Sequence, residues 1–288
     1  MDKRTVLITG CSSGIGYATA KGLARRGYRV FATARKTKDV DRLNGEGLES
    51  LVLDLNSEVS IKEAVQEVLS RTGGTLFALF NNAAYGQPGA VEDLSTHALR
   101  EQFESNFFGW HELTRLIIPV MRRQGYGRII QNSSVLGLVA MKYRGAYNAS
   151  KFAIEGLTDT LRMELFGTDI FVSLIEPGPI DSSFRTNAHR VFRNSIDCEK
   201  SAHQHAYRGV EKRLSHTGAE PPFTRPPAVV LNRVIRILEC RRPKARYYVT
   251  VPTYAFALMR RFFPHWLLDL TLICAAAGEN RESAKYNS

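Results

Sequence analysis

Apolar residues along this chain fall into short runs separated by longer stretches of helical spacing. The runs at 4–9, Arg29–Ala34, 48–55, 76–80, 127–133 and Ile170–Glu176 have strand length and are rich in Val, Ile, Leu and Phe. Between them, helical spacing recurs at 17–26, from Ser57 to about residue 71, from Ser95 to about residue 123, and at 144–166. Ser57 and Ser60 are both placed to cap the second of these helices. Strands alternating with helices in this way predict an α/β fold: a doubly wound parallel sheet with right-handed crossovers and helices on both faces.

The regularity stops near Ser182. Residues 185–225 are polar and basic, ending in Pro221-Pro222 and followed by Pro226-Pro227. Ligands of open α/β sheets bind beyond the carboxyl ends of the strands, so an insertion after the sixth strand is placed to cover a substrate. Ala228–Glu239 is amphipathic, 247–251 is a short β-type run, and 252–275 is apolar but broken by Arg260-Arg261, Pro264 and Asp269. That is too interrupted for the roughly 20 apolar residues of a membrane span. It suits an interfacial helix, a hydrophobic lid, or a helix packed on the domain or on a second subunit. One domain over 1–288 is expected, with 4–182 as its core, 183–227 as a substrate loop and 228–288 as a C-terminal helix, strand and apolar basic tail.

Composition alters this picture mainly through charge. Residues 1–184 hold 21 Lys and Arg against 20 Asp and Glu, whereas 185–288 hold 18 against 8. A basic C-terminal part points either to an anionic partner or to a solvated basic surface. With no recognised nucleic-acid motif, weak membrane-surface association is expected and nucleic acid is not. Cys11, Cys198, Cys240 and Cys274 follow no framework spacing, and Met1-Asp-Lys-Arg leads straight into the first strand. The expected setting is therefore the cytoplasm, peripheral at a membrane. His203, His205 and His216 lie near Cys198 but match no zinc template, so no metal is expected.

The chemistry centres on Ser134 and Tyr147-Asn-Ala-Ser-Lys151. Tyr and Lys four residues apart share one helix face. A phenol keeps its proton to about pH 10; an adjacent ammonium favours phenolate, so the Tyr can exchange a proton with a substrate oxygen. Ser134 arrives at the end of a strand, where its hydroxyl can bond the same oxygen. Upstream, Gly10-Cys-Ser-Ser-Gly14-Ile-Gly16 joins a strand to a helix, the arrangement that lets backbone approach a pyrophosphate. Arg35 ends the second strand, where an Arg accommodates the 2′-phosphate of NADP and an acidic residue would bind the ribose of NAD. Asp54 ends the third strand, and Asn81-Asn82-Ala83-Ala84 follows the fourth. Asn106 sits within a helix, either satisfied by a neighbouring carbonyl or serving the chemistry.

These residues, in this order on a βαβ pattern, resemble the short-chain dehydrogenases/reductases over 4–182. The motifs are Thr9-Gly10-(three residues)-Gly14-Ile15-Gly16, Asn81-Asn82-Ala83, Asn106, Ser134, Tyr147-(three)-Lys151 and Pro177-Gly178. The resemblance implies a Rossmann-like fold with Tyr147 as general acid/base and Ser134 as the group that polarises the substrate oxygen. It implies that Lys151 binds the nicotinamide ribose and lowers the Tyr147 pKa, and that Asn106 holds a water in a proton relay. Gly10, Ser12, Gly14, Ile15 and Gly16 would surround the pyrophosphate and adenosine, with Arg35 at the 2′-phosphate. Asp54 and Leu55 would flank the adenine, Asn82 would lie along the cofactor, and Pro177, Gly178 and Ile180 would meet the nicotinamide.

Ala84, Ser182 and Ser13 depart from the usual pattern, and Ser13 leaves the preference for NADP (NADPH) over NAD resting on Arg35. The chain is similar to the branch acting on hydroxysteroids, retinoids and lipophilic aldehydes, including bacterial NADPH-dependent aldehyde reductases. Leu136, Val139, Tyr143, Phe184 and Phe192 are the expected pocket residues. The family's habit of pairing through the two long helices implies a homo-oligomer, with Phe103, Phe107 and Phe108 serving that contact or the core. An NAD-dependent hydroxysteroid or retinol dehydrogenase is the alternative. A non-catalytic dinucleotide-binding regulator is disfavoured by the intact Tyr147 and Lys151.

Overall fold

The computed structural model describes residues 4–215 and 223–275; His216, Pro221-Pro222 and the last part of the expected tail lie outside them. The chain runs β1 (Thr5–Ile8), α1 (Gly14–Arg25), β2 (Arg29–Ala34), α2 (Thr37–Gly45), β3 (Glu49–Val52), α3 (Glu58–Arg71), β4 (Ala78–Asn81), α4 (Thr96–Phe103), α5 (Gly109–Gln124), β5 (Gly127–Asn132), α6 (Gly145–Glu164) and β6 (Ile170–Glu176). There follow α7 (Phe184–Ser195), α8 (Gln204–Ser215), α9 (Ala228–Glu239), β7 (Arg246–Tyr248), α10 (Val251–Phe262) and α11 (His265–Ala275).

All strands pair in parallel in the order β3-β2-β1-β4-β5-β6-β7. The order reverses between β1 and β4, which opens a crevice at the carboxyl ends of those strands. Strand residues alternate between faces. Val6, Ile8, Ala32 and Phe80 pack under α1 and α9 through Leu23, Val230, Val234 and Ile237. Leu7, Phe31, Leu79 and Ile129 pack on the other face against α3, α5 and α6 through Ile61, Val65, Leu113, Ile117 and Ile154. Burial on both faces explains why these strands read as unbroken apolar runs.

Four local readings differ from expectation. Helix α2 contributes only Val40 and Leu43 to the core, too few apolar residues for periodicity to stand out. The long helix from Ser95 is interrupted by a π-helical turn at Glu104–Phe108, which carries Asn106. Strand β3 ends at Val52, so Asp54 and Leu55 lie in the loop beyond it. The insertion is largely helical: α7 and α8 meet around Phe192, Tyr207 and Val210, a small core of their own.

Candidate active site

Strand β5 delivers Ser133 and Ser134 to the crevice, where Ser134 caps a short 3-10 turn, Val135–Gly137. Its Oγ accepts from Leu136 N at 3.1 Å, and Val135 N donates to the Pro177 carbonyl at 2.8 Å. The serine is thus fixed between β5 and the end of β6. Helix α6 brings Tyr147 and Lys151 to the same place. Lys151 is 1% exposed. Its Nζ donates to Asn132 O at 2.8 Å and lies over the rings of Trp110 (4.5 Å) and Tyr147 (5.5 Å). Trp110 is itself tied down through Nε1 to Ala83 O at 2.8 Å.

The electrostatics correct one expectation. Burial pushes the Tyr147 phenol up to about 12, opposed by the Ser134 hydrogen bond. Burial also brings the Lys151 ammonium down to about 7, opposed by the charge of Glu155. The phenol is therefore not lowered by Lys151 in this structure. Desolvation of the phenol outweighs the Ser134 hydrogen bond.

Beside this pair lies a cradle shaped by missing side chains. Gly10 and Gly14 have φ of 71° and 58°. A Cβ on Gly16 would stand 2.2 Å from Gly10 O, and one on Gly14 would stand 2.9 Å from the Ser182 Cβ. Ser13, the N-cap of α1, makes no side-chain capping bond, so the first-turn N–H groups face the crevice without a side-chain acceptor from that residue. Backbone donors, the positive helix end and the absence of Cβ atoms fit a dinucleotide pyrophosphate.

The expected cofactor residues gather here in different roles. Asn82 spends its amide on structure: Nδ2 donates to Thr9 O at 2.9 Å, and Oδ1 accepts from Asn132 at 2.9 Å. Leu55 turns its side chain into the core, and its carbonyl packs under Gly109, where a Cβ would come within 2.3 Å. Asp54 Oδ1 accepts from Asn56 N at 3.1 Å within its own turn. Ile15 packs on the α1 side of the core. Ile180 pairs with Arg225, while Gly178 abuts Thr250, whose Oγ1 would be 2.1 Å from a Cβ there.

Exposed Arg35 follows β2. Arg42 of α2 donates to Ser12 O of the glycine turn at 2.7 Å. That contact is tertiary, and no sequence spacing announces it.

Asn106 is fully buried with both amide ends engaged. Oδ1 accepts from Tyr85 N at 3.1 Å, and Nδ2 donates to Tyr85 O at 2.9 Å and to Ser150 Oγ at 3.3 Å. These bonds clamp the segment after β4 to α6 one residue before Lys151, which is the neighbouring-carbonyl alternative.

The expected pocket residues divide. Leu136 and Val139 join Val135, Tyr147, Phe256, Leu268 and Leu272 in one apolar wall, and the Phe184 ring meets Tyr147 edge-on at 5.3 Å. Phe192 is 1% exposed in the core of the insertion. Tyr143, at φ 59°, turns its ring toward His203 and Tyr207 there. Those two residues brace the insertion. Phe256, Leu268 and Leu272 were not singled out in the sequence because α10 and α11 also carry large apolar residues on their exposed faces, Tyr254, Leu258, Trp266 and Leu270 among them.

The short chain dehydrogenase family model matches residues 4–191. Over 270 residues, 94% of each chain, the protein is 39% identical to the uncharacterized oxidoreductase YbbO of Escherichia coli (strain K12). Retinol dehydrogenase 8 of Homo sapiens is 40% identical over 187 residues, 63% of this chain and 60% of that one. A short chain dehydrogenase/reductase from Burkholderia phymatum, solved in complex with NAD, shares the fold with a TM-score of 0.74 at 24% identity, covering 90% of this chain and 93% of that one. With its parallel sheet, glycine cradle and Tyr147–Lys151 helix, the chain belongs to the short chain dehydrogenase family and is an oxidoreductase.

Proposed function

We propose that the protein is an NADP(H)-dependent oxidoreductase that interconverts a lipophilic aldehyde or ketone and its alcohol, running toward carbonyl reduction where the NADPH pool is kept reduced. The observation that carries this reading is the apolar wall of Leu136, Val139, Phe256, Leu268 and Leu272 around the Tyr147 ring, beside a cradle shaped for a dinucleotide. A reduced nicotinamide dinucleotide held there supplies a hydride. Ser134 donates a hydrogen bond to the substrate oxygen, and Tyr147, protonated at neutral pH, gives that oxygen its phenolic proton as the carbon gains the hydride. Tyr147 then recovers a proton from solvent, with Lys151 as its charged neighbour. A buried wall of this kind lowers the cost of holding an alkyl or polyene chain and offers nothing to a polyol. Among relatives, the one named retinol dehydrogenase 8 fits such a substrate class.

Arg35, directly after β2, supports NADP, and Arg42, which donates to Ser12 O of the glycine turn, brings a second cation to that turn. For partners, we propose a second copy of the chain on the apolar groove between α5 and α6, lined by Phe107, Trp110, Ile118, Ile154, Leu157 and Leu161; sedimentation velocity reads this directly. We also propose weak attachment of the basic C-terminal part to an anionic membrane surface on the cytoplasmic side. No helix among the described residues is long and apolar enough to cross a membrane.

The test follows cofactor absorbance with NADPH or NADH against a medium-chain aldehyde, a retinoid aldehyde, a ketosteroid and a polyol. The expected result is NADPH-dependent turnover of an apolar carbonyl that falls about 100- to 10,000-fold in Tyr147→Phe. Turnover confined to polyols, or undiminished in Tyr147→Phe, overturns the reading.

A further inference from the structure

Behind the Ser134 turn lies a set of buried charges that the chemistry above leaves unused. Glu155 stands one turn beyond Lys151 on the same face of α6 and is 7% exposed. Its Oε1 and the Ser133 hydroxyl both press on Gly137, 3.1 and 2.6 Å from where a Cβ would stand. Its Oε2 lies 3.0 Å from Nη2 of Arg246 on β7. Arg246 also meets Asp159 at 2.8 Å and Glu176, the last residue of β6, at 3.6 Å. Glu176 is fully buried and accepts from Tyr247 N at 3.2 Å. Asp159 has a second partner in Arg162 at 2.8 Å. From α10, Arg260 donates to Leu138 O at 2.7 Å on the other side of the same turn. Glu155 is thus faced by Lys151 and Asp159 from its own helix, Glu176 from β6 and Arg246 from β7.

Lys151 itself meets a carbonyl and two ring faces. Dipoles and quadrupoles of that kind return only part of what an ammonium loses with its water. Glu155 is the carboxylate whose charge acts on it. Two buried carboxylates share Arg246, and burial raises both, Glu176 the more. Arg246 stands closer to Glu155, at 3.0 Å, than to Glu176, at 3.6 Å, which favours the negative charge on Glu155, where Lys151 feels it.

We propose that Glu155 is a positioning residue for the reaction: held ionised by Arg246 against the Ser133–Gly137 turn, it keeps Lys151 protonated, so that Lys151 can assist proton transfer at Tyr147. The inference rests on the roles given to Tyr147 and Lys151 above. The sign follows from the lysine. Its charge is present below its pKa and lost as pH rises through it, and removing the Glu155 charge moves that loss to lower pH. Below the pH at which Glu155 takes up a proton, the effect of removing it fades.

The test is a pH profile of kcat for carbonyl reduction in wild type, Glu155→Gln and Glu155→Asp, joined to an NMR titration of Lys151 in lysine-labelled protein, assigned by Lys151→Arg. Glu155→Gln is expected to move the alkaline limb, and the Lys151 titration with it, down by about one pH unit, with a loss that deepens as pH rises. Glu155→Asp, which keeps the charge, is expected to restore most of both. An unshifted limb with a uniform loss of rate, or an unshifted Lys151 titration, overturns the proposal and leaves Glu155 a purely structural ion. Should Glu155→Gln fail to fold, Arg246→Gln, which removes the counter-ion that keeps Glu155 ionised, is expected to shift the Lys151 titration in the same direction. The titration needs no substrate, so a wrong substrate class and a wrong role for Glu155 give different results.

Discussion

At the glycine turn, a Cβ on Gly16 would stand 2.2 Å from the Gly10 carbonyl oxygen. Across the crevice, the wall beside Tyr147 is built from Leu136, Val139, Phe256, Leu268 and Leu272, each exchangeable in principle for an apolar residue of similar volume. One side is set by backbone that tolerates a single residue type, the other by volume contributed from three separate parts of the chain. The first kind of constraint is written locally in the sequence; the second exists only once the chain has folded. The largest effect therefore belongs to the cradle. Gly16→Ala is expected to abolish measurable dinucleotide binding while the protein still melts cooperatively, because the clash is with backbone that cannot move without dismantling the turn. Dinucleotide titration by fluorescence, paired with thermal melting, checks this; near-normal binding breaks the comparison.

That division also tells which features could be read in advance. Strands β1, β2, β4, β5 and β6 were legible because burial on both faces leaves continuous apolar runs. Ser134, Tyr147 and Lys151 were legible because one strand end and one helix turn fix their relation. Helix α2 was not, since it offers the core only Val40 and Leu43. Neither the π turn at Asn106 nor the clamp it makes on Tyr85 has a local spacing that announces it. The Arg246 cluster was invisible for the same reason: Glu155, Glu176 and Arg246 are scattered along the chain and meet only through the β6–β7 pairing.

The adenosine end sharpens the contrast, because it mixes both kinds of constraint. Arg35 stands where the sequence places it, whereas Arg42 reaches the glycine turn through Ser12 O at 2.7 Å. A charged hydrogen bond contributes about 1.5–3 kcal/mol. Arg35→Ser is therefore expected to raise the KM for NADPH about 10- to 100-fold and leave that for NADH nearly unchanged. Arg42→Gln is expected to act in the same sense but less, since its guanidinium is already shared with Ser12 O and with Glu46 at 2.8 Å. Equal losses with both cofactors would assign the two arginines to the fold rather than to the phosphate.

The smallest effect is expected on α11, where inner and outer faces can be tested against each other. Leu272 is 7% exposed and faces the wall beside Tyr147, while Trp266 and Leu270 on the same helix are 64% and 52% exposed. Leu272→Ala removes apolar contact from the pocket, at about 0.8 kcal/mol per methylene-sized group lost from an apolar contact. A several-fold rise in KM for a long-chain aldehyde follows, with little change for a short one. Trp266→Ser with Leu270→Ser touches no wall residue, so turnover of a soluble substrate is expected to hold. What should weaken is flotation with anionic liposomes, and the wild-type flotation should itself fade in high salt, as attraction between a basic surface and anionic lipid requires. If the outer pair alters KM as strongly as Leu272, the two faces are not independent, and the wall belongs to a helix that moves as a whole. If flotation is unchanged, the outer face is not what meets lipid, and a second copy of the chain becomes the partner to test for it.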